Sequence, residues 1–292
     1  MHNSWIYLNG KLILGNEASI SPYDHGFLYG HGLFETMRVY KGRVFYFAEH
    51  VKRLHAGIKI LGWSSCPSAD ELSKAIYQTL QKNDLQEATV RLTISRGTGA
   101  SRPDPATCGS PTVIVFAAPI QLLGDDAYER GWSLATVNIR RNLTSPLCAV
   151  KAANYLDNIV AKSEAKAKGA NEALLLNNID QVAEGTMCNL FFVVEGRLIT
   201  PDKKSGLLPG ITRDIVLELA RQAGITTEER QVSPDELLRA SEIFITSSLL
   251  EIMAVTTLDG RKVNQGRRGK MTAFLRRQYQ KHIQEWLSII RV

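Results

Sequence analysis

No run of eighteen apolar residues occurs anywhere in this 292-residue chain, so nothing in it has the length and apolarity of a membrane-crossing helix. The amino-terminal stretch from Met1 to Trp5 lacks the basic start and apolar core of a secretory signal, and a cytoplasmic protein is expected. Cysteine is sparse: Cys66, Cys108, Cys148 and Cys188 are widely spaced and never form a C-x-x-C pair. That argues against a zinc knuckle or redox dithiol and makes reduced thiols the default. His50 and His55 lie five residues apart, and on a helix they would point about 140° away from each other, so no metal is expected there. Internal repeats and low-complexity tracts are also lacking.

What the chain does have is 44% hydrophobic residues, enough for two domains of ordinary size with a core in each, and a net charge of +6. Much of the positive excess lies near the C-terminus, in Arg261, Lys262, Arg267, Arg268, Lys270, Arg276 and Arg277. Interleaved there are Phe274, Leu275, Tyr279 and Ile283 at helical spacing, which describes a solvated helix face. With no RNA motif or helix-turn-helix signal, no nucleic-acid partner is expected, and the charge suits an anionic small molecule instead.

Strand patterns over 6–8, 33–40, 90–95 and 112–116 alternate with helical patterns over 50–61 and 70–83, giving an α/β or α+β layer over residues 1–118. Pro119, Gly124 and two aspartates interrupt the pattern, and 119–130 reads as a linker. From 131 to 292 the alternation resumes, with a strand over 133–139 and helices over 155–168 and 212–223, each followed by a glycine placed for a left-handed cap, Gly169 and Gly224.

Two residues stand out chemically. Lys151 follows Leu147, Cys148, Ala149 and Val150 with no other charge nearby; an apolar setting disfavours the ammonium and makes a lysine a usable nucleophile. Glu184 ends the second of two strand patterns, 173–176 and 181–184, joined by a turn at Asn177 and Asn178, and is followed at once by Gly185. A reactive lysine and a distant carboxylate are the pair a pyridoxal phosphate enzyme needs, one to condense with the aldehyde and one to keep the ring nitrogen protonated. A third feature is Gly210, Ile211 and Thr212, which open a helix with Ile211, Ile215, Leu219 and Ala220 on one face. Its unpaired first amides would suit a dianion, although the residues alone favour a plain Pro-Gly turn feeding a helix. Arg53 is open to two readings as well, as an exposed salt-bridging residue or as a bidentate phosphate ligand.

Six segments taken together resemble the class IV aminotransferases, the fold type IV pyridoxal phosphate enzymes. They are Ser21 to Arg38, Glu49 to Leu54, Val150 to Leu156 with Val182 to Phe191, Leu208 to Arg213, and Phe244 to Ile252. The resemblance implies a two-domain protein with a smaller N-terminal α/β domain and a larger C-terminal pseudo-barrel domain, a homodimer, and pyridoxal 5'-phosphate as cofactor. It implies that Arg53, Ile211, Thr212, Ser247 and Ser248 hold the phosphate, that Tyr155 borders the ring, that Lys151 binds the aldehyde and moves the proton, and that Glu184 faces the ring nitrogen.

Within the family, Thr36 stands where branched-chain enzymes have glycine, D-amino acid enzymes valine and aminodeoxychorismate lyases threonine. The segment from Asn138 to Asn142 is lyase-like too. The loop from Arg96 to Asp104 lacks the Arg-x-His trap of the D-amino acid enzymes. The resemblance thus implies first a lyase that eliminates pyruvate from 4-amino-4-deoxychorismate to leave 4-aminobenzoate for folate synthesis, with Thr36 positioning or moving a proton and Arg38, Arg96 and Arg102 as candidates for the substrate carboxylates. The alternative is an aminotransferase acting on branched-chain or D-amino acids. A cofactor-free binding protein would require the Lys151 and Glu184 matches to be accidental.

Overall fold

A computed structural model describes residues 4–289, to which all structural statements here refer; Met1, His2 and Asn3 of the amino-terminal stretch fall outside them. The chain forms two compact units, one running through Gln121 and taking in Val150–Tyr155, the other made of Leu122–Ala149 and the chain from Leu156 onward. The lysine-bearing segment therefore belongs to the first unit, although it lies well beyond Gln121 along the chain.

The first unit contains strands β1 (Trp5–Leu8), β2 (Lys11–Leu14), β3 (Gly32–Tyr40), β4 (Arg43–Val44), β5 (Ala88–Ser95) and β6 (Thr112–Pro119), with helices α1 (His25–Tyr29), α2 (Phe47–Ile60) and α3 (Ala69–Lys82). The strands form one antiparallel sheet in the order β2-β1-β6-β5-β3-β4. Alternation along each strand decides its two faces. Ala88, Val90, Leu92 and Ile94 of β5 and Leu33, Met37 and Val39 of β3 are buried in a core with Val51, Leu54 and Ile58 of α2 and Leu72, Ile76 and Leu80 of α3. The opposite face carries Phe34 and Thr36 of β3 beside Thr93 and Arg91 of β5. Ser68 and Glu71 make a reciprocal capping box that fixes the start of α3.

Glu35 breaks the apolar pattern, since it points to the α2 face and is 1% exposed. Arg53 answers it with two bonds, Nε to Oε1 at 2.8 Å and Nη2 to Oε2 at 2.6 Å, and His50 Nδ1 donates to Oε2 at 2.7 Å. Burial pushes the Glu35 carboxyl upward, but Arg53 and His50 outweigh it and hold it down at about 2. Burial likewise lowers His50, more than Glu35 raises it, so the imidazole is a neutral donor. His55 lies apart, with Nε2 at 3.1 Å from the Pro67 carbonyl.

The second unit contains α4 (Asp125–Arg130), β7 (Trp132–Arg141), α5 (Leu156–Ala167), β8 (Glu172–Asn177), β9 (Val182–Glu184), β10 (Asn189–Val194), β11 (Arg197–Pro201), α6 (Ile211–Gln222), β12 (Thr227–Arg230), α7 (Pro234–Leu237), β13 (Glu242–Ser247), β14 (Glu251–Leu258), β15 (Arg261–Lys262) and α8 (Lys270–Ile289). Its sheet runs β12-β11-β10-β13-β14-β7-β8-β9, with β15 on β14. The Val182 amide of β9 donates to the Val232 carbonyl, just beyond β12, at 2.8 Å. That bond ties the two ends of the strand order together, as the expected pseudo-barrel requires. The core holds Leu134, Leu174, Leu190, Phe192, Ile243, Ile245, Met253 and Val255.

The stretch 119–130, read as a linker, contains the boundary between the two units at Gln121 and Leu122, and its second half forms α4. Asp125 and Asp126 sit in the first turn of α4, where the helix dipole favours them, so they act as a start signal rather than an interruption. Glu129 pairs with Arg268 at 2.6 Å, and the Arg276 guanidinium lies 3.8 Å over Tyr128. Part of the basic C-terminal region is thus spent within its own unit. Leu275, Tyr279 and Ile283 form the buried stripe of α8, and Gly169 and Gly224 take φ +76° and +72°. Among the described residues no helix is long and apolar enough to cross a membrane.

Two outcomes are expected from this packing. Met37→Ala, at a position 0% exposed, should lower the unfolding free energy by about 2–5 kcal/mol, and Ser68→Ala by about 1 kcal/mol, both read by urea denaturation. The second concerns acid. A carboxyl held at about 2 against an ordinary 4.5 contributes stability that is fully present above 4.5 and is lost as pH falls through the folded value. Glu35→Gln should therefore be less stable than the parent at neutral pH, and the gap should narrow as pH falls from 4.5 toward 2. A gap of constant size across that window would show that Glu35 is not the ionised anchor described.

Candidate active site

In the first unit the lysine segment is fastened along β3. The Phe34 amide donates to the Lys151 carbonyl at 3.0 Å and the Ala153 amide to the Gly32 carbonyl at 2.8 Å. This seats Lys151 Nζ 4.7 Å from the centroid of the Phe34 ring, while the Arg91 guanidinium carbon lies 3.7 Å from the same centroid. Tyr155 meets that ring edge-on, centroids 5.3 Å apart. Thr36 is directly opposite Arg91 in the strand register. One aromatic platform therefore gathers an amine, a guanidinium and a phenol. Burial lowers the Arg91 pKa, with the neighbouring Tyr155 opposing the shift. A cation this far from water is a strong attractor for a carboxylate.

Arg91 was not singled out in the sequence. The signal was available, because it is the only charged residue in β5 and alternation puts it on the face of Thr36. The arginines proposed for substrate carboxylates are engaged elsewhere. Arg38 is 4% exposed and bonds to Glu87 at 2.6 Å and to the Ala88 carbonyl. Arg96 donates to the Gly109 carbonyl at 2.7 Å, and Arg102 is an exposed partner of Asp104 at 3.3 Å. Arg53 has one edge of its guanidinium committed to Glu35.

In the second unit Glu184 ends β9, 6% exposed and paired with Leu175. Its Oε2 accepts from the Leu208 amide at 3.0 Å and its Oε1 lies 3.2 Å from Arg141 Nε. The turn that follows is pinned by a second carboxylate. Glu172, 0% exposed, accepts from the Thr186 amide and hydroxyl at 3.2 and 2.6 Å and from Lys162 Nζ at 2.8 Å. Glu172 was also passed over in the sequence; a lone acid heading an apolar strand was the available clue.

The chain passes from Leu208 to Gly210 and into α6. Gly210 is forced by close approach, since a Cβ there would stand 1.9 Å from Asn189 Oδ1. No side chain caps the first turn of α6. Arg213, fully buried, holds the helix to the Pro201 carbonyl at 3.0 Å and to Glu229 at 2.8 Å. On β13, Thr246 lies opposite Asn189 in the register, and its buried hydroxyl has no hydrogen-bond partner. Ser247 and Ser248 follow at the turn into β14, where Ser247 Oγ accepts from the Leu250 amide at 3.2 Å. An uncapped helix start, an approach that only glycine permits and an unsatisfied hydroxyl nearby form a donor set that fits a phosphate group.

Comparison with known proteins agrees with this geometry. The family model described as amino-transferase class IV matches residues 32–258. The chain is 39% identical to the putative branched-chain-amino-acid aminotransferase of Methanocaldococcus jannaschii, covering 96% of this chain and 97% of that one. It is 33% identical to the aminodeoxychorismate lyase of Bacillus subtilis, covering 97% and 96%. Among solved structures, the branched-chain amino acid aminotransferase of Escherichia coli matches with a TM-score of 0.89 and 33% identity, over 94% of this chain and 93% of that one. Enzymes of this family use pyridoxal 5'-phosphate. With its mixed α/β fold and end-to-end similarity, the chain belongs to the class IV aminotransferases.

Proposed function

We propose that the protein is an aminotransferase that moves the amino group of a branched-chain amino acid to a 2-oxo acid such as 2-oxoglutarate. The observation that carries this reading is the Phe34 platform, where Lys151 Nζ and the Arg91 guanidinium sit over one ring. An amino acid offers one carboxylate next to one amine, and the Arg91 guanidinium suits that carboxylate on the ring that also carries the Lys151 amine. The branched-chain enzyme of Methanocaldococcus jannaschii, at 39% identity, supports the same choice. It reverses the order of the two activities drawn from Thr36 in the sequence.

Lys151 would bind the cofactor covalently, with Glu184 at the ring nitrogen, Tyr155 beside the ring, and Arg53, Ile211, Thr212, Ser247 and Ser248 at the phosphate. Bound there, pyridoxal phosphate supplies an electron sink for the bonds of the amino-bearing carbon. Lys151 Nζ would move the proton at that carbon. Glu184 would face the ring nitrogen and favour its protonated form. Arg91 orients the substrate through its carboxylate, and Thr36, opposite it, lines the same surface.

A second reading keeps one specific observation in its favour. Thr36 has the residue type that implied the lyase, and the Bacillus subtilis lyase is 33% identical along nearly the whole chain. Both readings use Lys151 and Glu184, and they differ in the fate of the electron pair.

A dimer of identical chains is proposed as the working form. Exposed apolar groups support it in each unit: Phe27, Tyr23 and Ile20 in the first, where Ile20 and Phe27 border a cavity of about 360 Å³, and Leu156, Ile159, Val160 and Met187 in the second. Exposed apolar surface of this kind marks association sites.

Supplied with leucine or valine and 2-oxoglutarate, the purified protein should form glutamate, and Lys151→Ala should reduce the rate by about 10²–10⁴-fold. Borohydride reduction should leave a pyridoxyl adduct on Lys151, located by mass spectrometry. Supplied with 4-amino-4-deoxychorismate instead, it should release little pyruvate. Should elimination proceed with the larger specificity constant and collapse in Thr36→Val, the lyase reading replaces this one. Light scattering at micromolar concentration should give twice the chain mass, and an active monomer would remove the dimer.

A further inference from the structure

Arg141 ends β7 and is the only cation hydrogen-bonded to segments on both sides of Glu184 in the second unit among the described contacts. Its Nε lies 3.2 Å from Glu184 Oε1 and donates to the Gly206 carbonyl at 3.0 Å, and its Nη2 donates to the Cys148 carbonyl at 3.1 Å. Gly206 opens the turn to Leu208, whose amide holds the other oxygen of Glu184. Cys148 stands three residues before Lys151 in the chain. A register shift between β7 and β8, where Thr136 faces Leu174 and Arg140 faces Leu176, brings Arg141 opposite Asn177. Irregularities of this kind redirect a side chain at the end of a strand.

We propose that Arg141 is a positioning residue that holds Glu184 ionised and in fixed orientation for the cofactor's ring nitrogen; this rests on the assignment of Glu184 made above. A glutamate this deeply buried is driven toward its neutral form by desolvation, and a neutral acid cannot keep a pyridine nitrogen protonated. A guanidinium does not lose its proton in a protein, so it supplies a permanent counter-charge. The Leu208 amide on one oxygen and the Arg141 guanidinium beside the other also restrict rotation of the carboxylate. By gripping the Gly206 and Cys148 carbonyls with the same side chain, Arg141 sets the carboxylate, the approach to α6 and the turn at Cys148 in one frame within the second unit.

The test uses the cofactor-loaded protein and the variants Arg141→Met, Arg141→Lys, Glu184→Gln and the Arg141→Met, Glu184→Gln pair. Three quantities are followed: the pH midpoint of the visible cofactor band, the rate of pyridoxal phosphate release, and the thermal midpoint of cofactor-free protein. Glu184→Gln should move the band midpoint, and Arg141→Met, which removes the ion pair, should move it the same way and speed release by about tenfold. Arg141→Lys should recover part of the shift, and the double variant should go no further than Glu184→Gln, because the effect runs through that carboxylate. Should Arg141→Met fail to fold, Arg141→Lys alone must show an intermediate midpoint for the proposal to stand. If the Arg141 variants lower only the thermal midpoint while Glu184→Gln moves the band, Arg141 is merely structural and the Glu184 assignment survives. If Glu184→Gln moves neither band nor release, that assignment fails and the proposal with it.

Discussion

An ionised carboxylate taken out of water must regain inside the protein the hydrogen bonds it leaves behind, or it takes up a proton. At three positions this requirement organises the molecule. Glu35 draws Arg53 and His50 of α2 onto β3. Glu172 draws Lys162 of α5 and the Thr186 turn onto β8. Glu184 draws Arg141 and the Leu208 amide to the end of β9. Each is nearly inaccessible to solvent and each ties a helix or loop to a strand at a defined point, which apolar contact alone does less specifically. Such pairs add little net stability, since desolvation offsets most of the attraction, but removing one partner is costly. Their effect here is to fix where the reactive groups stand.

The first unit treats its two sheet faces in opposite ways. On one, Leu33, Met37 and Val39 lock β3 to the helices and leave it no freedom. On the other, Phe34 and Thr36 meet Arg91, Lys151 and Tyr155 on an open, positively charged surface. The second unit prepares its contribution differently, by leaving backbone amides at the start of α6 uncapped and a Thr246 hydroxyl unsatisfied. Both arrangements hold polar groups in readiness for a ligand, which lowers the reorganisation needed when one binds.

Much of this was legible in the chain. The alternation in β5 and the 3.6-residue stripe of α8 follow from where apolar residues recur, and Gly169 and Gly224 mark helix ends because a left-handed cap has few other occupants. Lys151, Glu184 and the Gly210 to Thr212 start were found because their chemistry is unusual for their surroundings. What went unread has a common cause. Asp125 and Asp126 look like breakers in a window and are a helix start in context. Arg91 and Glu172 are single charges in apolar strands, and only the face to which each points, and the partner waiting there, separates a surface charge from a buried one.

The sequence by itself determined the periodicities and the family, because these depend on residue type and spacing along the chain, and for the same reason it singled out Lys151. The tertiary structure alone decided which arginine stands near that lysine. Arg38, Arg96 and Arg102 are as close in sequence to the relevant strands as Arg91 is, yet Glu87, the Gly109 carbonyl and Asp104 take them up. Register placed Arg91 opposite Thr36 and over Phe34. It likewise decided that the strand carrying Arg141 should end beside Glu184, distant from it in the chain. A charge in a folded chain acts on whatever the sheet register and the turns bring within a few ångströms, and that distance is not written in any local stretch of residues.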